Sequence, residues 1–457
     1  MERFKKMKKI VIQGAGFVGS AFALACAGAK NKNQYIFEVS IVEQEHQSEL
    51  IRKINKGIFP FKTNDIKLPK LIKYHISRNL SCSHEVNEYE RADVIVSCIS
   101  FNCEVSKKSF KKNSERYLDS IKIIAEKMSP NTLLIIQSTL PPGFTNLYIK
   151  PLLEKEFKKR KISSNKLLLA HSFERVMPGK NYYDSIVNNW RVCAGINKKS
   201  LKKFENFFMK FVNVKKFPLK TFTDTIYSEV AKILENSYRA VNISFIDEWS
   251  RYAEMINVNL FEIIDSIKLR LTHNNMMYPG FGVGGHCLTK DPNFVATSSK
   301  YIFNNDKLSF PHTKSAIKIN RNMPLATFEK INSHFLKRLK DKKILILGVS
   351  YKDGVADTRN SPTSILYDKL KKKGAIVDLH DPLVKYWSEK KIKIKNKIPN
   401  LKNYNVIILT TNHDEYNKIN FQKRIKSKKN ILILDTANII KKKFGSNFKI
   451  KLISIGK

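Results

Sequence analysis

The sequence predicts an α/β protein in which two domains with parallel sheets are joined by a helical domain that contains one long helix. The chain has 457 residues, and a single hydrophobic core rarely serves more than ~250–300 residues. Short apolar segments alternate with helical segments over the first 215 residues and again from residue 341 onward. This alternation is typical of parallel sheets with helical crossovers. We therefore expect an α/β domain at 1–215, a central helical domain at 216–325 and a second α/β domain at 326–457.

Apolar runs that end in polar turns predict the strands of both α/β domains. In the first domain the predicted strands are 9–13, 37–43, 93–99, 132–138, 166–170 and 190–194, with a helix at 17–29. In the last domain they are 343–347, 376–380, 406–410, 431–435 and 449–455.

A long helix is predicted from residue 224 to about residue 257, because its residues recur at helical spacing. The repeating positions are Ile226, Val230, Ile233, Leu234, Ser237, Val241, Phe245 and Trp249. A helix this long, without glycine or proline, usually connects domains or forms a subunit interface. Since apolar faces left over after domain packing would pair two subunits, we expect a homodimer through this helix.

The chain carries 83 basic and 40 acidic residues, a net charge of +43, and 68 of the basic residues are lysines. Nucleic-acid sites usually rely on arginine for bidentate contacts and on aromatic residues for stacking. The lysines are instead spread along the chain in short runs. A solvated lysine-rich surface that attracts phosphate-bearing substrates is therefore favoured. A polyanion-binding surface stays open as an alternative, but we expect no nucleic-acid partner. The 42% of apolar residues excludes global disorder.

The six cysteines, at positions 26, 82, 98, 103, 193 and 287, form no CxxC pair and no zinc-binding spacing with the histidines. We therefore expect no metal site and a reducing compartment. No uninterrupted run of ~18 apolar residues occurs, so we expect no membrane span. The cytoplasm is the expected location.

A spaced glycine set directly follows the first predicted strand. Gly14 allows a tight turn, Gly16 lets the backbone approach a pyrophosphate, and Gly19 lets the helix pack closely on the strand. Glu43 ends the next strand at the position of a carboxylate that binds the adenosine ribose. These features predict a Rossmann-like domain that binds NAD rather than NADP, because an acid there disfavours a 2′-phosphate.

The glycine-rich segment 279–292 ends in a cysteine followed by charged residues. Its four glycines leave backbone N–H groups free to cradle an anion. If Cys287 begins a helix, the helix dipole and Lys290 would both favour its thiolate. The segment therefore predicts a nucleophilic cysteine.

The sequence resembles the UDP-glucose/GDP-mannose dehydrogenase family, the NAD-dependent nucleotide-sugar 6-dehydrogenases, over nearly its whole length. Six motifs occur in the order of that family, at 14–19, 137–143, 173–179, 229–236, 279–292 and 348–362. The resemblance implies two Rossmann-like domains, of which the second binds the UDP half of the substrate. It also implies a four-electron oxidation of a sugar C6 alcohol to a carboxylate with two NAD+ in turn.

The family chemistry gives the matched residues their roles. Cys287 would trap the aldehyde as a thiohemiacetal, which a second oxidation converts to a thioester that water hydrolyses. Lys232 and Asn236, four residues apart on the long helix, could hold the developing oxyanion. Asp291 and Glu174 are candidates to position or deprotonate the attacking water.

Further residues are assigned by the same matching. The catalytic set is completed by Thr139. The residues expected to bind the cofactor are Gly14, Gly16, Phe17, Val18, Gly19, Glu43, Thr139, Lys290 and Arg359. The residues expected to bind the substrate are Glu174, Lys232, Asn236, Arg270, Phe281, Gly282, Gly284 and Lys352.

The sequence departs from the family pattern at several positions, some of which bear on substrate choice. Residues 100–102 read Ser-Phe-Asn where many members have Pro-Thr-Pro. Pro178 replaces a second glutamate of the UDP-glucose enzymes and, with the Gly-Gly-His-Cys sequence, resembles the UDP-N-acetylhexosamine branch. Lys290 is closer to the UDP-glucose pattern. The substrate-binding arginine has no gap-free match, since Arg270 is near it while Leu271 falls in register. A UDP-N-acetylhexosamine is thus the expected substrate, with UDP-glucose or a catalytically degenerate homologue as alternatives.

Overall fold

A computed structural model describes residues 7–425, 430–440, 444 and 450–457. The chain forms two compact units. The first unit comprises Met1–Glu235 and Asn293–Ser309, and the second comprises Asn236–Pro292 and Phe310–Lys457.

The first unit is built on an eight-stranded sheet. Its strands are β1 (Lys8–Gln13), β2 (Phe37–Val42), β3 (Leu80–Ser83), β4 (Val94–Ser97), β5 (Leu133–Ile136), β6 (Leu168–His171), β7 (Arg191–Gly195) and β8 (Leu219–Phe222), in the spatial order β8-β7-β6-β5-β4-β1-β2-β3. Ile10 and Ile12 of β1 belong to one apolar cluster and Val11 to another. Since side chains alternate across a strand, the sheet is buried on both faces.

Helices cover this sheet. They are α1 (Phe17–Ala27), α2 (Ser48–Asn55), α3 (Lys67–His75), α4 (Lys107–Lys127), α5 (Lys150–Lys159), α6 (Asp184–Val187) and α7 (Lys198–Phe208), with α10 (Phe294–Thr297) later in the chain. Every residue of α1 from Gly19 to its end is buried. This explains why α1 is apolar all round rather than amphipathic.

Strand β7 departs from the predicted parallel arrangement. It pairs antiparallel with β6 and parallel with β8, while the other pairs of this sheet are parallel. Between β6 and β7 the only α-helix is the four-residue α6. A parallel crossover usually contains a longer helix, so the chain returns beside β6 in the opposite direction.

The second unit carries a five-stranded parallel sheet. Its strands are β9 (Lys343–Leu347), β10 (Ile376–His380), β11 (Val406–Leu409), β12 (Ile431–Asp435) and β13 (Ile450–Ser454), in the order β10-β9-β11-β12-β13. Its helices are α9 (Leu260–Lys268), α11 (Pro311–His334), α12 (Thr363–Lys372), α13 (Asp414–Asn417) and α14 (Phe421–Ile425). Short strand pairs at 30–31 with 34–35 and at 386–387 with 392–393 lie outside the two main sheets.

Helix α8 (Thr225–Met255) is the predicted long helix, with 31 residues. It begins where the Asp224 side chain accepts a hydrogen bond from the Ile226 backbone N–H, which satisfies one of the free donors of a helix start. One row of large apolar side chains on it is exposed. These side chains are Tyr227, Val230, Leu234, Tyr238, Phe245, Trp249, Tyr252 and Met255. Their spacing of three, four or seven residues places them on one face.

The predicted fold class is confirmed, and all eleven predicted strands are present with ends shifted by up to two residues. Strands β3 and β8 were missed, because their segments Leu-Ser-Cys-Ser and Leu-Lys-Thr-Phe are short and half of their residues are polar. The three-domain division at residues 215 and 325 stays a prediction. No helix in the described part of the chain is long and apolar enough to cross a membrane.

Candidate functional site

The glycine turn after β1 has the geometry expected of a phosphate-binding loop. Gly14 has a φ of +96°, which side chains other than glycine rarely adopt. A Cβ on Gly19 would lie 1.9 Å from the Gly14 carbonyl oxygen, so only glycine permits this approach of helix to strand. A Cβ on Gly16 would meet nothing within 4 Å. The exposed face of Gly16 therefore has room for a ligand against the backbone.

Glu43 lies beside this turn. Its Oε2 accepts a hydrogen bond of 2.7 Å from the Ala15 backbone N–H, and its Oε1 accepts one of 2.8 Å from that of Gln44. An acid at this edge of the sheet is placed to bind a ribose hydroxyl of a dinucleotide. Phe17 stacks on Phe61 with ring centroids 4.0 Å apart, and the half-buried Val18 follows it in α1. The turn and Glu43 together fit the adenosine and pyrophosphate parts of NAD.

Glu174 occupies the interior of the first unit beyond the end of β6. Its Oε1 accepts hydrogen bonds from the guanidinium of Arg191 and, at 3.2 Å, from the amide of Gln137. Its Oε2 is buried and has no hydrogen-bond partner among the described residues. The two oxygens of this carboxylate are therefore in different environments.

Lys232 of α8 reaches the same place. Its Nζ donates a 2.9 Å hydrogen bond to the backbone oxygen of Glu174 and lies 5.3 Å from the centre of the Phe173 ring. Its side chain is buried, although an isolated lysine on a helix is usually solvated. The structure thus brings together Lys232 and Glu174 from two separate motifs.

Glu229 fixes the loop that follows β5. Its carboxylate accepts hydrogen bonds from the backbone N–H groups of Gly143 and Thr145 and from the Thr145 hydroxyl. Complete burial raises the pKa of Glu229 to about 7, an effect that these hydrogen bonds oppose. Thr139, earlier in the same loop, is half-buried. Glu229 therefore holds the position of a loop to which the family motif assigns functional residues.

A cluster in the second unit contains three of the predicted residues. Asp291 is fully buried; its Oδ2 accepts a 2.7 Å hydrogen bond from the Asn236 amide, and its Oδ1 accepts one of 2.6 Å from Lys290 Nζ. Asn236 comes from α8, whereas Lys290 and Asp291 come from the glycine-rich segment. Because both carboxylate oxygens are engaged, Asp291 is suited to orient Asn236 and Lys290.

Cys287 is exposed and precedes this cluster by one turn. Its carbonyl oxygen accepts hydrogen bonds from the backbone N–H groups of Lys290 and Asp291. The cysteine therefore begins a turn, so the condition under which a helix dipole would favour its thiolate is not met. The first helical residue is Asp291, in a short 3₁₀ segment. The neighbouring His286 has a pKa lowered to about 4 by burial and by the charges of Lys290 and Arg359, so its ring is neutral at neutral pH.

The glycines before Cys287 allow close packing. A Cβ on Gly282 would lie 2.7 Å from Pro362, and one on Gly284 would lie 2.5 Å from the Tyr351 side chain. Gly285 donates its backbone N–H to the Arg359 carbonyl oxygen. The predicted anion cradle is therefore wrong for Gly285, whose N–H is already used to hold the segment against the 348–362 motif.

A cavity of about 520 Å³ opens at the carboxyl ends of β9, β11 and β12 in the second unit. Its lining comprises Phe261, Asp265, Tyr278, Pro279, Gly280, Phe281, Tyr351, Lys352, Asp353, Thr410, Thr411, Asn412, Thr436, Ala437 and Asn438. The rings of Phe261 and Tyr278 are stacked 5.8 Å apart. Ligands of α/β sheets bind at this edge. The lining carries one basic side chain, Lys352, and two acidic ones, Asp265 and Asp353.

One predicted residue lies apart from these groups. Arg270 is exposed in the loop after α9 and does not line the cavity. Arg359 lies beside the cysteine segment: its carbonyl oxygen accepts a hydrogen bond from the Gly285 backbone N–H, and its guanidinium makes hydrogen bonds of 2.6 to 3.1 Å to the Asp357 carboxylate. In the loop that departs from the family pattern, Phe101 is buried against Tyr117.

Sequence reasoning gave no role to Arg191, Gln137 or Glu229. Gln137 and Glu229 lie inside two of the family motifs, at 137–143 and 229–236. Their place in those motifs could have indicated a functional role. Arg191 begins an ordinary apolar strand, and nothing in its sequence context indicates a buried guanidinium. Among the described residues, no group of three or more His, Cys, Asp or Glu could hold a metal ion.

Sequence profiles of the UDP-glucose/GDP-mannose dehydrogenase family match three parts of the chain: the NAD binding domain at 8–212, the central domain at 227–322 and the UDP binding domain at 345–442. The UDP-N-acetyl-D-mannosamine dehydrogenase of Methanocaldococcus jannaschii is 32% identical over 98% of this chain and 97% of its own. The UDP-glucose 6-dehydrogenase of Rickettsia prowazekii is 26% identical over 89% of this chain and 91% of its own. Among solved structures, the UDP-D-ManNAc dehydrogenase of Pyrococcus horikoshii matches with a TM-score of 0.79 at 27% identity, covering 98% of this chain and 99% of that one.

Proposed function

Because this chain belongs to the UDP-glucose/GDP-mannose dehydrogenase family of NAD-dependent nucleotide-sugar dehydrogenases, we propose that it oxidises the C6 alcohol of a UDP-sugar to the carboxylate. The proposed substrate is a UDP-N-acetylhexosamine. This choice is supported by the name of the Methanocaldococcus relative and by Pro178. The observation that carries the proposal is the buried cluster of Asn236, Lys290 and Asp291, one turn after an exposed cysteine.

The glycine turn and Glu43 would hold the cofactor. NAD+, when bound, accepts the hydride in each of the two oxidations. Gly16 leaves its backbone open to the pyrophosphate, and the Glu43 carboxylate would accept a ribose hydroxyl. The same carboxylate would repel the 2′-phosphate of NADP, which supports the choice of NAD.

Cys287 would carry the sugar between the two oxidations. Its sulfur adds to the aldehyde carbon to form a thiohemiacetal, and loss of the second hydride leaves a thioester. Hydrolysis then releases the carboxylate and restores the cysteine. Covalent attachment prevents loss of the aldehyde while the reduced cofactor is exchanged.

Asn236 and Lys232 would stabilise the oxyanion that forms at each addition. Asp291 fixes one amide hydrogen of Asn236 and thereby the direction of the other, while the ammonium of Lys232 is fixed by the Glu174 carbonyl. Hydrogen-bond donors that are held in place before the reaction stabilise the transition state by several kcal/mol in a site that excludes water.

Glu174 is the better candidate for the base that activates water. Both oxygens of Asp291 accept hydrogen bonds from side chains, whereas Oε2 of Glu174 has no partner among the described residues. A base needs one oxygen that can accept the proton from water.

The cavity of the second unit would bind the UDP half of the substrate. Lys352 supplies a positive charge for the diphosphate, and the aromatic side chains of the lining supply apolar surface for the uridine. Phe281 both lines the cavity and packs into the core of the unit. The exposed apolar face of α8 would be covered by a second copy of the chain in a homodimer.

A nucleotide-sugar panel tests this proposal. The purified chain is incubated with NAD+ and UDP-N-acetylmannosamine, UDP-N-acetylglucosamine or UDP-glucose, and NADH and sugar acid are counted together. We expect two NADH for each acid formed, with the highest kcat/KM for an N-acetylated sugar. A preference for UDP-glucose would move the assignment to that branch. One NADH per sugar would contradict the four-electron reaction, and none with any sugar would indicate a catalytically degenerate homologue.

A further inference from the structure

The cavity of the second unit is lined in part by two loops that leave neighbouring strands. The loop after β9 contributes residues 351–353 to the lining, and the loop after β11 contributes residues 410–412. Strands β9 and β11 are paired and parallel, so the two loops leave the same edge of the sheet side by side. The shape of the lining therefore depends on the contacts that hold these two loops together.

One imidazole ring contacts the first loop on both sides of its lining residues. His413, which directly follows the lining residues of the second loop, is 3% exposed. Its Nε2 lies 2.8 Å from the hydroxyl oxygen of Ser350, and its Nδ1 accepts a 3.4 Å hydrogen bond from the backbone N–H of Gly354. Ser350 immediately precedes residues 351–353, and Gly354 immediately follows them. The ring is thus bonded to both ends of this lining segment.

The donors in this cluster allow one tautomer of His413. Since a backbone N–H can only donate, Nδ1 accepts from Gly354 and the ring proton is on Nε2. The Nε2–H therefore donates to the Ser350 hydroxyl, which in turn donates a 2.9 Å hydrogen bond to the Asp381 carboxylate. The result is a directed chain of hydrogen bonds from Gly354 through His413 and Ser350 to Asp381.

Asp381 anchors this chain to the sheet. It is fully buried directly after β10, and its Oδ2 also accepts hydrogen bonds from the backbone N–H groups of Val349 and Ser350. Its Oδ1 accepts from two backbone N–H groups of its own loop. Burial opposes ionisation, but the hydrogen bonds from His413 and from the backbone hold the pKa of Asp381 well below its ordinary value. Asp381 is therefore a charged acceptor in a fixed position.

We propose that His413 is a positioning residue that holds residues 351–353 in the arrangement that binds the diphosphate of a UDP-sugar. This role rests on the proposed function, since it requires that the cavity takes the UDP half of the substrate. His413, Ser350 and Asp381 lie outside the lining, so the imidazole would act through the loop rather than touch the ligand. A loop that is fixed before the ligand arrives loses less conformational entropy on binding. Loss of the His413 contacts should therefore weaken UDP binding although no group that touches UDP is removed.

Calorimetric binding of UDP to the whole chain tests this role, because the measurement needs no turnover. His413→Phe keeps a ring in the buried position and removes both polar contacts. We expect its Kd for UDP to rise about tenfold, within the range for two lost hydrogen bonds. Its Kd for NAD+ should stay unchanged, because the glycine turn belongs to the first unit. With an accepted UDP-sugar, KM should rise by the same factor while kcat changes little.

Two further variants each keep one of the contacts. The amide nitrogen of His413→Gln can donate to the Ser350 hydroxyl, and the amide oxygen of His413→Asn can accept from the Gly354 N–H. Each should recover part of the lost affinity, with a Kd for UDP between those of wild type and His413→Phe. Both variants keep a polar side chain, so they carry the test if His413→Phe does not fold.

His380→Phe is the matched control. His380 is buried in the same unit, and its ring nitrogens contact the Tyr416 hydroxyl and the Asn396 carbonyl oxygen rather than the 348–354 loop. The control should therefore lower thermal stability, as His413→Phe does, while its Kd for UDP stays at the wild-type value.

Two outcomes would overturn the role of His413. One is wild-type affinity for UDP in His413→Phe or, if that variant does not fold, in both amide variants. The other is an equal rise of Kd in the His380→Phe control, which would make the effect one of general destabilisation. Wild-type protein distinguishes these failures from failure of the proposed function. If the wild type binds no UDP, the assignment of the cavity is wrong, whereas wild-type binding that no variant weakens refutes only the role of His413.

Discussion

Replacing Glu229 with glutamine should change how the thermal stability of the protein depends on pH. Glu229 is fully buried, and its pKa is raised to about 7 from the ordinary value of 4.5 because burial disfavours the charged form. The native state therefore holds a proton that the unfolded state has released. The stability contributed by this proton is fully present below the unfolded pKa and is lost as the pH rises through the folded pKa.

The magnitude follows from these two pKa values. Linkage gives a loss of about 2.5 kcal/mol between about pH 5 and about pH 8. For a unit of this size that loss corresponds to roughly 5–10 °C in Tm. Glu229→Gln has no proton to lose, so the difference in Tm between wild type and variant should shift by this amount across the range.

Calorimetry of both proteins at several pH values measures the difference in Tm between them. Because the other titratable groups contribute equally to both proteins, their effects cancel in this difference. Thr145→Val provides a second test. The Thr145 hydroxyl donates to Glu229 and lowers its pKa, so its loss should move the decline in Tm to higher pH. Parallel Tm curves for wild type and Glu229→Gln would refute the reasoning, because they would mean that Glu229 titrates alike in the folded and unfolded states.

The remaining predictions concern catalysis, binding and assembly. Cys287→Ala should abolish formation of the sugar acid while calorimetric binding of NAD+ stays nearly unchanged; full turnover would exclude the covalent scheme. Lys352→Ala, which removes the positive charge of the cavity lining, should raise KM for the UDP-sugar about tenfold or more with little change for NAD+; an unchanged KM would place the diphosphate elsewhere. Leu234→Asp with Trp249→Asp, on the exposed face of α8, should convert a dimer to a monomer in light scattering. A wild-type monomer would contradict the proposed interface.

The sequence by itself determined the features that depend on neighbouring residues. Alternation of apolar runs with helical segments located eleven of the thirteen strands of the two main sheets, and helical spacing located α8, because these periods are properties of the local backbone. The requirement for glycine at positions 14 and 19 was also readable, since it follows from the tight turn between a strand and a helix. The glycine-rich segment predicted Cys287 as a nucleophile, and the family motifs added roles for Lys232, Asn236, Asp291 and Glu174.

Only the tertiary structure decided which distant groups meet. The antiparallel pairing of β7 depends on the direction in which the chain returns, which no local pattern encodes. The buried contacts of Arg191 with Glu174 and of Asn236 with Asp291 join residues 17 and 55 positions apart. Gly285 illustrates the same limit: its N–H looked free in the sequence but is bonded to a residue in another motif. Hydrogen bonds and ion pairs in the interior are set by the packing of whole elements, and that packing cannot be read from the spacing of residues along one chain segment.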